Sequence, residues 1–144
     1  VQTPLVGDAE GLQDRIALTG AADERRLDEA YRQAELFVLP SLYEGYGMVI
    51  SEAVAYGLPV ITTTGGALAT TLPPEAGIAV PPDDPTALRD AIAALLDDPS
   101  RRQALARGAR RARRELNDWD RSVALFMALI EEASPCPSSL PPAG

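Results

Sequence analysis

Residues 39–64, LPSLYEGYGMVISEAVAYGLPVITTT, limit the possible folds more than any other stretch of the chain. Residues 36–40 (LFVLP) form an apolar run of strand length. Gly45 and Gly47 then bracket Tyr46, and residues 48–56 are apolar and rich in helix formers until Gly57 and Pro59 stop them. Residues 59–63 (PVITT) are β-branched and apolar again. Strand, glycine-bearing turn, helix and strand make a βαβ unit. Its strands are expected to be parallel and its crossover right-handed. Its turn falls at the carboxyl end of a strand, where open α/β sheets bind ligands.

Two carboxylates give that turn chemical interest. Glu44 lies in it, and Glu52 lies one turn into the helix, between Ile50 and the run Ala53, Val54 and Ala55. An acid in so apolar a helix is costly to bury unless something hydrogen-bonds it. The backbone amides of Tyr46, Gly47, Met48 and Val49 fall at the helix start, where N–H groups lack intrahelical partners and the dipole is positive. Such a tip suits an anion, most naturally a phosphate. Phosphate donors between two acids suit a ligand with phosphates and many hydroxyls, as a nucleotide sugar has.

The rest of the chain alternates in the same way. Residues 1–14 read as loop, residues 15–19 (RIALT) as a strand ended by Gly20, and residues 23–34 as a helix capped by Asp23. Leu27, Ala30, Tyr31 and Ala34 fall on one face of that helix. After the central unit, Gly65 and Gly66 read as a plain turn in preference to a lining of the cleft, residues 67–72 as a short helix and residues 77–80 as a strand. Asp84 and Pro85 open a helix whose buried stripe is Leu88, Ile92, Leu95 and Leu96. A further helix runs from Pro99 to about residue 116. A last one starts at Asp118, with Trp119, Val123, Phe126 and Ile130 at helical spacing. Four strands alternating with helices predict an α/β class with a mainly parallel sheet. Residues 1–133 read as one domain, and residues 134–144 as a disordered Pro- and Ser-rich tail.

Composition removes several alternatives. A net charge of −8 argues against nucleic acid as a partner. All 13 basic residues are arginine, and no histidine is present, so histidine catalysis, histidine metal sites and a P-loop lysine are absent together. The lone cysteine, Cys136, permits no disulfide within one chain, which fits a reducing, cytoplasmic setting. No apolar run approaches membrane-spanning length, and no signal peptide is seen. Abundant alanine and arginine without lysine point to a GC-rich bacterial genome.

The string Pro40-Ser41, Glu44-Gly45-Tyr46-Gly47, Glu52-Ala53, Ala55, Gly57-Leu58-Pro59-Val60 resembles the signature of retaining glycosyltransferases of the GT-B fold, family 4. These carry two glutamates separated by seven residues, as Glu44 and Glu52 are. The resemblance runs from about residue 15 to about residue 133. It implies a Rossmann-like parallel sheet with flanking helices, part of the C-terminal, donor-binding half of a two-domain enzyme. The first two of the family's six strands, its basic diphosphate clamp and its N-terminal acceptor domain have no counterpart here. The strands at 15–19 and 36–40 must then pair directly, pair with another chain, or leave an edge exposed, and a dimer through that edge is one outcome.

For the site, the resemblance implies that Glu44 contacts the donor sugar beside the transferred carbon. It implies that Glu52 accepts hydrogen bonds from both ribose hydroxyls. Gly45, Tyr46, Gly47, Met48 and Val49 would meet the diphosphate or sugar through backbone amides, Gly47 because a missing Cβ permits close approach. Gly20 and Ala21 match positions that hold the base. The Tyr46 side chain reads equally well as a core aromatic. The expected reaction is transfer of a sugar from a nucleoside-diphosphate donor with retention, using no metal and no cofactor. Arg101, Arg102, Arg107, Arg110, Arg111, Arg113 and Arg114 crowd one helix. They read as a solvated face or as an attraction to anionic lipid at the inner face of a membrane. Two rival functions are a noncatalytic nucleotide-sugar-binding or assembly module, and a sugar-nucleotide epimerase. The lack of histidine counts against the epimerase.

Overall fold

A computed structural model of the chain describes residues 15–17, 19–114, 123 and 127–129. Contacts divide the chain into two units, Val1–Ala34 and Glu35–Gly144.

In the first unit, α1 spans Glu24–Gln33. Asp23 caps it as expected, its carboxylate accepting from the Arg26 amide at 2.8 Å. Of the expected apolar face, Tyr31 is buried, while Leu27 is 44% exposed and Ala30 is also exposed. The strand expected at 15–19 does not form at Arg15, Ile16, Ala17 or Thr19, and Leu18 is outside the described residues. A strand needs a neighbour to receive its alternating N–H and C=O groups. The apolar pattern alone supplies none, and Ile16 is 48% exposed.

The second unit is built on three parallel strands, β1 (Phe37–Leu39), β2 (Val60–Thr63) and β3 (Gly77–Val80), in the order β1-β2-β3. Phe37 lies opposite Val60, and Val60 opposite Gly77. Helix α2 (Met48–Ala55) joins β1 to β2, and the single turn α3 (Leu68–Thr71) lies between β2 and β3. Two longer helices follow, α4 (Pro85–Asp97) and α5 (Pro99–Ala112). The parallel α/β class and the βαβ unit are therefore as the sequence predicts.

The core forms where β2 runs through the middle. All four residues of β2 are buried, as an apolar strand with neighbours on both sides should be. Ile50 and Val54 of α2, Leu68 of α3 and Leu95 of α4 are fully buried as well. Each such side chain contributes roughly 1.5–3 kcal/mol through removal from water. The stripe expected on α4 is only partly covered: Leu95 is fully buried and Leu96 is 56% exposed. Helix α5 buries Gly108, Ala109 and Ala112.

Helices α4 and α5 start as their sequences dictate. Asp84 accepts from the Ala87 amide at 2.9 Å and Asp98 from the Arg101 amide at 2.9 Å, each with proline in the first turn. Of the helix expected from Asp118, Val123 and residues 127–129 are helical and exposed, whereas Trp119, Phe126 and Ile130 fall outside the described residues. So do Cys136 and residues 134–144. Among the described residues, no helix is long and apolar enough to cross a membrane.

Candidate functional site

The loop between β1 and α2 carries most of the expected site, and it is fixed from one side. Four carbonyl oxygens, one at the end of β1 and three in the loop, accept hydrogen bonds from residues 22 to 25 positions downstream. The Thr62 hydroxyl donates to the Leu39 carbonyl at 3.0 Å, and the Thr63 hydroxyl donates to the Ser41 carbonyl. The Ala67 amide donates to the Glu44 carbonyl at 3.0 Å, beside an isolated parallel bridge between Glu44 and Gly66. The Thr71 hydroxyl lies 2.7 Å from the Tyr46 carbonyl and 3.0 Å from that of Ala67, and its one proton serves these two acceptors. A net stabilisation of about 1 kcal/mol per bond is ordinary.

These bonds also orient the opposite side of the loop. In a planar trans peptide the carbonyl of one residue and the amide of the next point in opposite directions. With the Glu44 and Tyr46 carbonyls turned toward Ala67 and Thr71, the amides of Gly45 and Gly47 are turned away from that support.

Helix α2 begins directly after the loop. Its N-cap, Gly47, has φ 75° and ψ 39° and makes no side-chain cap bond, as glycine must. The Ile50 amide is satisfied by the Gly47 carbonyl at 2.9 Å. The amides of Met48 and Val49 precede it in the first turn, where helical geometry offers no acceptor.

Three expectations need correction. Gly47 is glycine for its left-handed backbone and for packing: a Cβ there would lie 3.0 Å from Leu68 Cδ2, so that direction faces the core and not a ligand. Tyr46 is 68% exposed, which removes the core-aromatic reading of its side chain. Glu52 is not a buried acid. Ile50, Ala53 and Val54 take the buried face of α2 while Glu52 lies on the exposed side, where it is not without a polar partner. The burial cost assigned to it from its neighbours in sequence does not arise.

The remaining expected residues are placed as follows. Glu44 is half-buried in the loop, and Gly45 and Met48 are exposed. Val49 is half-buried on α2. Glu44 and the residues at 45–49 are thus contiguous at one helix tip, with Glu52 one turn along. Gly20 and Ala21 belong to the first unit; both are exposed, and Gly20 has φ 63°. Among the described residues no group of three or more His, Cys, Asp or Glu side chains is placed to hold a metal ion.

Sequence reasoning missed the supports. Gly65 and Gly66 are not a plain turn: a Cβ at Gly65 would overlap the Leu42 carbonyl, and one at Gly66 the Glu44 carbonyl. Thr62 and Thr63 are almost wholly buried, at 0% and 4% exposure. The available signal was chemical. Hydroxyls in a strand buried on both sides need acceptors, and the nearest belong to the neighbouring strand and its outgoing loop.

Beside the loop, a hollow of about 190 Å³ opens at the carboxyl ends of the strands, lined by Pro40, Leu42, Thr63, Pro81, Asp83 and Leu88 among others. It touches none of the expected donor contacts. Asp83 there is the one non-glycine with positive φ among the described residues, at 57°.

Comparison with known proteins agrees with this architecture. The chain is 37% identical over 125 residues to a D-inositol 3-phosphate glycosyltransferase of Xylanimonas cellulosilytica, covering 86% of this chain and 30% of the relative. It superimposes on sucrose-phosphate synthase from Thermosynechococcus elongatus with a TM-score of 0.72 and 36% identity, over 85% of this chain and 31% of that one. It also matches the C-terminal domain of a group 1 glycosyl transferase from Francisella tularensis, with a TM-score of 0.58 and 28% identity over 64% of this chain and 48% of that one. The chain therefore spans about a third of the curated relative and of the synthase, and the shared fold is that of a partial GT-B glycosyltransferase domain. The profile of the family described as glycosyl transferases group 1 matches residues 7–112, and the chain belongs to that family.

Proposed function

We propose that this chain is the donor-binding part of a retaining glycosyltransferase that takes its sugar from a nucleoside diphosphate. The observation that carries the reading is the loop at 40–47, fixed through its carbonyls and ending at a helix start with no side-chain cap. Departure of the diphosphate builds negative charge on its oxygens. Amides aimed in advance at that position stabilise the charge without reorganising during the reaction. In this scheme the amides of Gly45, Gly47, Met48 and Val49 meet the diphosphate, without calling on a metal ion. Glu44 lies beside the transferred carbon and orients the sugar through its hydroxyls. Glu52 accepts from the vicinal ribose hydroxyls, for which a carboxylate has two suitable oxygens. Its exposed position leaves it accessible to a ligand lying along α2. Gly20 and Ala21 are assigned to the base through their backbone.

The chain spans about a third of the relatives it matches, and in this scheme an acceptor-binding region and a basic diphosphate clamp belong to the part of such enzymes that it does not span. The chain alone is therefore expected to bind donor weakly and to transfer no sugar. Titration calorimetry against UDP-, GDP- and ADP-sugars tests the binding. One of the three series should give saturable heat, and Glu52→Ala should weaken it at least tenfold, as loss of hydrogen bonds to a charged acceptor predicts. Equal heats for wild type and variant would remove the ribose role. Sugar transfer by the isolated chain would overturn the division of labour.

A further inference from the structure

Seven of the chain's 13 arginines lie within residues 99–114: Arg101, Arg102, Arg107, Arg110, Arg111, Arg113 and Arg114. The same residues include no Asp or Glu, in a chain whose net charge is −8. The packing sorts these arginines. Arg102 is structural: it is half-buried, donates to the Leu95 carbonyl at 2.7 Å at the end of α4, and pairs with Glu35 at 3.4 Å. Gly108, Ala109 and Ala112 are buried, which fixes the inner side of α5. At about 100° per residue, the opposite side carries Arg107, Arg110 and Arg111, all exposed. Arg114 continues the row: it is exposed in the turn after the helix, and its amide donates to the Arg111 carbonyl at 3.0 Å. None of these four arginines forms an ion pair with a carboxylate among the described residues.

Four exposed guanidinium groups with no ion-pair partner among the described residues, on one side of a packed helix, form a local positive surface on an acidic protein. We propose that the face made by Arg107, Arg110, Arg111 and Arg114 docks the protein on the surface of an anionic bilayer. The guanidinium groups engage headgroup phosphates and no helix is inserted. Charge complementarity selects an anionic surface, and guanidinium suits phosphate because it donates two parallel bonds at once. A nucleic acid fits less well. The row offers no aromatic ring for a base to stack on, and it lies on the outer side of a helix and not in a groove. The proposal uses no residue of the donor site and stands or falls without it.

Co-sedimentation of the full chain with vesicles tests the proposal. One set is phosphatidylcholine alone and the other contains about one third phosphatidylserine. Wild type should partition onto the anionic set only, and raising salt from about 0.1 to 0.5 M should release it. Each arginine near such a surface is worth roughly fivefold in partition. Arg111→Gln should lose about that much, and the fourfold glutamine variant several hundredfold. The fourfold lysine variant should bind within a few-fold of wild type, and Arg89→Gln on α4 should bind as wild type does. Circular dichroism checks the helix in each; if the fourfold glutamine variant unfolds, Arg111→Gln and the salt series decide. Failure of wild type to bind, equal binding to neutral vesicles, or binding indifferent to the glutamine changes would overturn the proposal. So would duplex DNA that displaces the protein from vesicles at equal phosphate concentration, which would reassign the face to nucleic acid.

Discussion

Helices α4 and α5 start in one way and α2 in another. Asp84 and Asp98 each place a carboxylate on the amide three residues ahead, with proline following, and so close their helix starts within the chain. Helix α2 starts on a left-handed glycine that offers its first turn no side-chain acceptor. The capped starts are held by their own cap residues. The α2 start is held from elsewhere, by the downstream donors that reach the carbonyls of residues 39–46. A helix start that is fixed in position and still lacks a side-chain acceptor is suited to receive a ligand. One that carries its own carboxylate serves stability first.

Four substitutions break or sharpen this contrast, in descending order of expected effect. Gly66→Ala should be the most damaging, because the new Cβ meets the Glu44 carbonyl and the backbone has φ 67°. A loss of about 3 kcal/mol or more is expected in chemical denaturation, together with loss of donor binding. A stability near wild type would show that the loop is not held there. Gly47→Ala should cost about 2 kcal/mol, from the left-handed backbone and the 3.0 Å approach to Leu68. Asp98→Ala should cost about 1 kcal/mol and leave donor affinity unchanged, since it removes only a cap. A change in affinity would mean that the two kinds of start are not separate in function. Thr71→Val should cost about 1 kcal/mol or less in stability and still weaken donor binding severalfold, because the Tyr46 peptide loses its fixed orientation. Stability and affinity falling together in Asp98→Ala and separately in Thr71→Val would reverse the assignment.

The elements whose signals lie within a few residues were legible in the sequence. Asp23 and Asp84 read as caps of their helices, Pro99 as the opening of the next, and PVITT as a strand, while the cap at Asp98 went unread. Glu44 and the residues at 45–49 were legible as a helix tip because glycine, acid and apolar run are adjacent. What connects positions far apart was not. Nothing near Thr71 announces that its hydroxyl reaches Tyr46, 25 positions earlier. Glu52 was misjudged because sequence neighbours are not neighbours in packing. Residues adjacent on a helix are turned about 100° apart, so an apolar neighbourhood in the string is compatible with an outward-facing acid. Residues 15–19 show the converse: β-like composition does not make a strand without a partner to pair with.

The bond from the Ala67 amide to the Glu44 carbonyl makes the intervening crossover a ruler. Its two ends are clamped, so the 22 residues between them can change identity on their outer side but not number. One residue added to α2 would swing Glu52 by about 100° and advance it about 1.5 Å, while the clamp kept Glu44 where it is. The interval between the two acids is therefore set mechanically by the span from one loop to the next, and insertions should be tolerated before residue 40 or after residue 71 far better than within it.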